Sequence, residues 1–213
     1  MKNKKIIIAA TIALLVAAYF IGIHFYNQSE RERLEALARE TKLLYEREYS
    51  PVIGSDMAKV TLVEFLDPEC ETCRELYPFV KSLLEEYQGR LRLVIRYAPF
   101  HHNSMMVVQM LEAARKQDKY WETLELFFKY QPDWGGHHNP NPELLWTYLP
   151  EAGVDANQVR NDMSDPVIQK NIEQDIADAR TLGVRQTPGF FVNGKPLQQF
   201  GFDQLRDLIE SEM

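Results

Sequence analysis

From Val60 to Leu66 the chain is almost wholly apolar, and Val60, Leu62, Glu64 and Leu66 fall on one face of the strand that such a run predicts. The period then lengthens. Cys73, Leu76, Tyr77, Val80, Leu83, Leu84 and Tyr87 recur at helical spacing, which predicts a helix from Cys70 to about Tyr87, kinked at Pro78. Leu91, Leu93, Ile95 and Tyr97 return to alternation, so a second strand is expected from Leu91 to Tyr97, bounded by Gly89 and Pro99. A helical block comes next, with one stripe of Val107, Met110, Leu111 and Ala114 and another of Tyr120, Leu124 and Phe127. A Pro/Gly/Asn-rich loop is expected from Gln131 to Pro142. Asp155 with Gln158 resembles a capping box, and Asp165-Pro166 supplies an N-cap followed by proline at the first helical position. The helix so begun carries Ile168, Ile172, Ile176 and Ala179 and should stop at Gly183. Strands from Gly189 to Val192 and from Lys195 to Gln199 flank Asn193-Gly194, a strong hairpin signal, and Asp203 opens a last helix.

The N-terminal pattern is of another kind. Lys2, Lys4 and Lys5 precede 21 predominantly apolar residues, Ile6 to Tyr26. As a helix these span about 31 Å, the thickness of a bilayer's hydrocarbon core. A cleaved signal peptide has a shorter apolar region, about 7 to 15 residues, with a small-residue site after it. Here the only passable site, Val16-Ala17-Ala18, lies inside the run, which favours a retained anchor. Lysines before the span place residues 1–5 in the cytoplasm and the remainder outside, where disulfides persist. Residues 27–49 are densely charged, with Leu34, Leu37, Thr41 and Leu44 at 3-4-3 spacing, and read as a short helical stalk. Two heptads are too few for a coiled coil. Ser50-Pro51-Val52-Ile53-Gly54 ends the helical pattern, and the remaining residues suffice for one domain with a sizeable core.

A net charge of −7 and the lack of any basic aromatic stripe exclude a nucleic-acid partner. Phosphate-binding glycine loops and serine elbows are missing, so no organic cofactor is implied. The two cysteines, Cys70 and Cys73, are the chain's only ones and stand C-x-x-C at the predicted helix start. There the unsatisfied N–H groups and the positive dipole end favour a thiolate, so Cys70 is expected to be an exposed nucleophile. Cys73, a turn further in on the apolar stripe, is expected to be the shielded thiol that resolves a mixed disulfide. Structural zinc wants about four ligands, and a bridge closing so short a loop stabilises little. Redox chemistry is the better reading. Glu64 puts a carboxylate into an apolar row, where its raised pKa suits a proton relay to Cys73; the bland alternative is a strand-end charge. The histidine pairs His101-His102 and His137-His138, with Met105, Met106 and Met110 nearby, leave copper or zinc handling as an alternative from a different class, although no ligand set has recognised spacing. A redox-dead binding module is a third.

Glu64-Phe65-Leu66-Asp67-Pro68-Glu69-Cys70-Glu71-Thr72-Cys73 and Leu182-Gly183-Val184-Arg185-Gln186-Thr187-Pro188-Gly189-Phe190-Phe191-Val192-Asn193-Gly194 together resemble the DsbA-like family of thioredoxin-fold thiol:disulfide oxidoreductases. The resemblance covers residues 50–213. It implies an α/β thioredoxin fold with a helical subdomain inserted at about 100–182, preceded here by the transmembrane helix and stalk. It also implies disulfide exchange with protein substrates outside the cytoplasm, a membrane partner that recycles the protein, and no cofactor beyond a Cys70–Cys73 disulfide. Cys70 then matches the nucleophile and Cys73 the resolving cysteine. Pro188, after Thr187, matches a cis-proline whose backbone meets an extended substrate. Glu64 matches an acidic position with a proposed proton-transfer role. Where the strongly oxidising members carry Pro-His between the cysteines, this chain has Glu71-Thr72. Negative charge at Glu69 and Glu71, opposed in part by Arg74, is expected to hold the Cys70 pKa above that of the Pro-His type and make the pair less oxidising.

Overall fold

In a computed structural model that describes residues 41–136 and 140–213, together with 19, 21–26 and 28, five strands form one mixed sheet among the described residues. They are β1 (Val52–Ile53), β2 (Val60–Leu66), β3 (Leu91–Tyr97), β4 (Gly189–Val192) and β5 (Lys195–Pro196), in the order β1-β3-β2-β4-β5. β2 is central because it has no polar face to offer water: every residue but Thr61 is buried. It runs parallel to β3, Val60 opposite Leu91 and Leu66 opposite Tyr97, and antiparallel to β4, Phe65 opposite Gly189. The bounds expected for both long strands coincide with those observed. Between β4 and β5, Asn193 (φ 48°) and Gly194 (φ 82°) make the left-handed turn that the dipeptide predicts, although β5 stops at Pro196 rather than Gln199.

Among the described residues after β1, the helices are α1 (Glu71–Glu86), α2 (Ser104–Arg115), α3 (Tyr120–Lys129), α4 (Gln131–Trp134), α5 (Leu145–Tyr148), α6 (Ala156–Asp162), α7 (Pro166–Thr181) and α8 (Phe202–Glu210). Short 3-10 turns at Pro142–Leu144 and Leu149–Ala152 flank α5. Helix α1 buries Cys73, Leu76, Tyr77, Val80 and Leu83 against the Val60, Leu62 and Leu66 face of β2, with Pro78 inside it. Complete burial of each such leucine stabilises by about 1.5–3 kcal/mol. Val63, Phe65, Val94 and Phe191 point to the opposite face, where Ala179 of α7 and Tyr45 help to cover them. The Asp155 carboxylate accepts from the N–H groups of Asn157 and Gln158, and that of Asp165 from Val167, so both expected N-caps form.

The stretch expected to be a loop from Gln131 instead continues as α4, with Gln131 and Trp134 buried. The reason is that 131 and 134 continue the Leu124 and Phe127 stripe. Val52–Ile53, inside the segment read as a mere helix stop, pairs antiparallel with β3. The unit that holds the sheet begins at Leu44 rather than residue 50. Charge explains the difference. Arg96 of β3, with no exposed surface, donates through Nη1 to Leu44 O (2.7 Å) and through Nε and Nη2 to the Asp175 carboxylate (2.9 and 2.8 Å). The Arg47 guanidinium makes a two-pronged pair with Asp178 (2.8 and 2.9 Å), Tyr49 donates its hydroxyl hydrogen to Asp175 (2.7 Å), and Glu46 pairs with Arg92. Most of the 6–26 run and of the 27–49 stalk lies outside the described residues. Residues 21–26 and 41–45 are helical, and among the described residues no helix is long and apolar enough to cross a membrane.

Candidate functional site

Antiparallel pairing sets the start of β4 against the end of β2, so the loops leaving those two ends meet. From β2 comes the turn Asp67–Cys70, closed by Cys70 N–H donating to Asp67 O (3.1 Å). Into β4 comes Thr187-Pro188, whose peptide bond is cis, as the motif leads one to expect. Cys70 is the N-cap of α1, in extended conformation (φ −73°, ψ 120°), with its carbonyl accepting the first helical hydrogen bond, from Arg74 N at 3.2 Å. Its Sγ lies 3.3 Å from Thr187 O. Both cysteines are free thiols.

The electrostatics separate the two sulfurs. The Cys73 thiol donates to Cys70, and this hydrogen bond is the largest influence holding Cys70 down to about pH 5; burial opposes it, while Thr187 and the N–H groups of Cys73 and Thr72 assist. Cys73, with no exposed surface, is pushed well above the ordinary thiol range by burial first, then by its bond to Cys70 and the charges of Glu64 and Cys70. Glu64 is 1 % exposed, its Oε2 has no hydrogen-bond partner among the described residues, and burial, followed by the Cys70 charge, raises its pKa to about 8. Alternation thus placed this carboxyl where the structure has it, on the dithiol face of β2. Absorbance of the reduced protein at 240 nm should rise with a midpoint near pH 5, as the Cys70 thiolate forms; a midpoint near 8.5, the ordinary value, would contradict the geometry.

Two expectations need correction. Cys70 is 7 % exposed, not open, because the Thr187 carbonyl lies over its sulfur. Glu69 does not face the thiols: its carboxylate turns to the start of α2 and accepts from Asn103 N (2.8 Å) and Asn103 Nδ2 (2.9 Å), which caps that helix. Glu71 is exposed on the first turn of α1, and Thr72 acts on Cys70 through its backbone N–H. The leading influences on the sulfur are therefore hydrogen bonds rather than the acidic flanks.

Asp67 and Gln131 had no assigned role, and His101 was read only as a candidate metal ligand. Asp67, fully buried, gathers the turn and the loop before α2: its carboxylate accepts from Glu69 N, Phe100 N and Ser104 Oγ, and meets His101 Nδ1 at 2.7 Å. For His101, burial works against charging, but the bond and charge of Asp67, then the charges of Cys70 and Glu69, leave its pKa raised. Its Nδ1 is engaged with the Asp67 carboxylate. Among the described residues no group of three or more His, Cys, Asp or Glu is arranged to hold an ion; His137 and His138 lie outside them. Gln131 reaches the turn from α4. A polar residue on an apolar stripe was the available signal for it.

The sheet and the helices between β3 and β4 make up a thioredoxin-like fold, the fold also of the solved alpha-DsbA1 of Wolbachia pipientis (TM-score 0.70). Residues 46–211 match the family profile described as Thioredoxin, and the chain belongs to that family. A probable disulfide bond formation protein D of Bacillus cereus is 27 % identical, with 100 % of this chain and 99 % of that protein covered. A thioredoxin-like oxidoreductase from Silicibacter pomeroyi DSS-3 has 29 % identity and a TM-score of 0.69, covering 79 % of this chain and 94 % of that one. A Na(+)/H(+) antiporter NhaA of Herminiimonas arsenicoxydans is 31 % identical over 89 % of this chain. The chain spans less than a third of the length of the first curated relatives it matches, 30 % of that antiporter and 22 % of two others.

Proposed function

We propose that this chain exchanges disulfides with protein substrates on the outer side of a bacterial cytoplasmic membrane, held by residues 6–26 with its N-terminus in the cytoplasm. The observation that carries the exchange reading is the Cys70 sulfur, its pKa drawn to about 5, set 3.3 Å from Thr187 O with the Cys73 thiol behind it. In the reducing direction the Cys70 thiolate attacks one sulfur of a substrate disulfide, forming a mixed disulfide and releasing a substrate thiolate. Cys73, deprotonated by the Glu64 carboxylate, then attacks the Cys70 sulfur and releases the second substrate thiolate. Two electrons pass to the substrate, and a Cys70–Cys73 disulfide remains. The oxidising direction is the reverse. Thr187 and Pro188 present a backbone edge to an extended substrate segment.

A thiolate pKa of about 5 stabilises the reduced form and favours oxidation of substrates; it lies between about 7 for thioredoxin and about 3.5 for DsbA, which supports a pair less oxidising than the Pro-His type. A second membrane redox protein returns the dithiol to its working state. Support for the anchor is the length of the apolar run and the lysines that precede it. In the full chain, Cys73→Ser should accumulate a mixed disulfide with a disulfide-containing protein, released by dithiothreitol, whereas Cys70→Ser should capture nothing. Equal capture by both variants, or by neither, would overturn the reading.

A further inference from the structure

Gln131 takes no part in the exchange chemistry, yet from the helical insertion it donates to two backbone carbonyls of the dithiol turn. It opens α4, is 1 % exposed, and its Nε2 donates to Pro68 O at 2.8 Å and to Cys70 O at 3.1 Å. An amide nitrogen has two hydrogens, so both are committed to backbone carbonyls on either side of Glu69. Its Oε1 is buried without a partner among the described residues, an unfavourable arrangement that indicates the side chain is oriented by its nitrogen. Cys70 O also accepts the Arg74 N–H, so the Cys70–Glu71 peptide is gripped from the helix on one side and the insertion on the other. That peptide sets the direction of the chain immediately after it, where the N–H groups of Thr72 and Cys73 meet the Cys70 sulfur.

We propose that Gln131 is a positioning residue for Cys70: by holding the Pro68 and Cys70 carbonyls it keeps the following N–H groups aimed at the sulfur, and the helical insertion thereby sets the redox poise of the pair. The inference rests on the dithiol reading above. A residue with only a structural duty would alter stability and leave the sulfur alone. Trp134 supplies the comparison, since it lies on the same short helix, is fully buried, and donates its Nε1–H to Phe127 O (2.8 Å) rather than to the turn.

The test uses the reduced full chain and reads two quantities, the pH midpoint of thiolate absorbance and the equilibrium constant with glutathione. Gln131→Met keeps the length and loses both donors. It should raise the midpoint by about one unit and shift the glutathione equilibrium about tenfold toward the protein disulfide. Gln131→Asn, whose amide is too short for the carbonyls, should move both the same way and guards against a misfolded methionine variant. Trp134→Phe should lower Tm and leave both redox quantities at the wild-type value. The proposal is overturned if the folded Gln131 variants titrate like wild type, or if Trp134→Phe shifts the midpoint as far as they do. The midpoint is read on the protein alone, so this result is separable from whether Cys73→Ser captures a protein substrate.

Discussion

Replacing Asp175 with alanine should lower the unfolding free energy by about 3–5 kcal/mol, because it strands a buried guanidinium. Arg96 has no exposed surface, and three of its four donor contacts with the protein go to Asp175 or Asp178. Asp175 uses its oxygens as fully, accepting also from Tyr49 and from the Tyr97 backbone N–H at 2.9 Å. Taking away that carboxylate unbalances a set of two positive and two negative groups, Arg47, Arg96, Asp175 and Asp178. Against a typical domain stability of about 5–15 kcal/mol the loss is large. Urea unfolding should show a lower midpoint at an unchanged slope. Pairing Arg96→Met with Asp175→Leu should cost less than the two single changes added, since the uncompensated charge is then gone. Additive costs would show that the pair does not act as a unit.

The second large effect is a pH dependence removed by Glu64→Gln. A carboxyl whose pKa climbs from the ordinary 4.5 to about 8 on folding favours the folded state fully below pH 4.5, and that contribution is lost as pH rises through 8. For Glu64 the change is on the order of a few kcal/mol. Cys70 works the other way: its lowered pKa adds stability as pH rises from about 5 toward 9. Comparing wild type with Glu64→Gln, both reduced, largely cancels the thiol and leaves the carboxyl. The difference between the two stability curves should slope between pH 5 and 8 and flatten above. Resolution of the mixed disulfide by Cys73 should slow on the order of 10²-fold in the variant. A difference curve without slope would mean that Glu64 reaches water.

Much of this site was legible because its signals are local. The bounds of β2, α1 and β3, the N-caps at Asp155 and Asp165, and the Asn193-Gly194 turn come from periodicity and single-residue preferences. Glu64 was found because one carboxylate broke an apolar row. What escaped depends on partners far along the chain. Arg92 and Arg96 alternate with apolar residues as a solvated face would, yet both are buried, since Glu46 reaches the first and Asp175 and Asp178, seventy-nine and eighty-two positions on, reach the second. Glu69 looked like a neighbour of Cys70 in sequence, whereas its carboxylate is held by Asn103, thirty-four positions away.

The clamp on residues 44–50 also decides where this domain can be cut. A fragment starting at Val52 keeps all of β2, β3 and β4, but leaves Arg96 without the Leu44 carbonyl, Asp178 without Arg47 and Asp175 without Tyr49. Trimming those few residues therefore injures the interior as a core deletion would, and a fragment that keeps all of these contacts begins at Leu44.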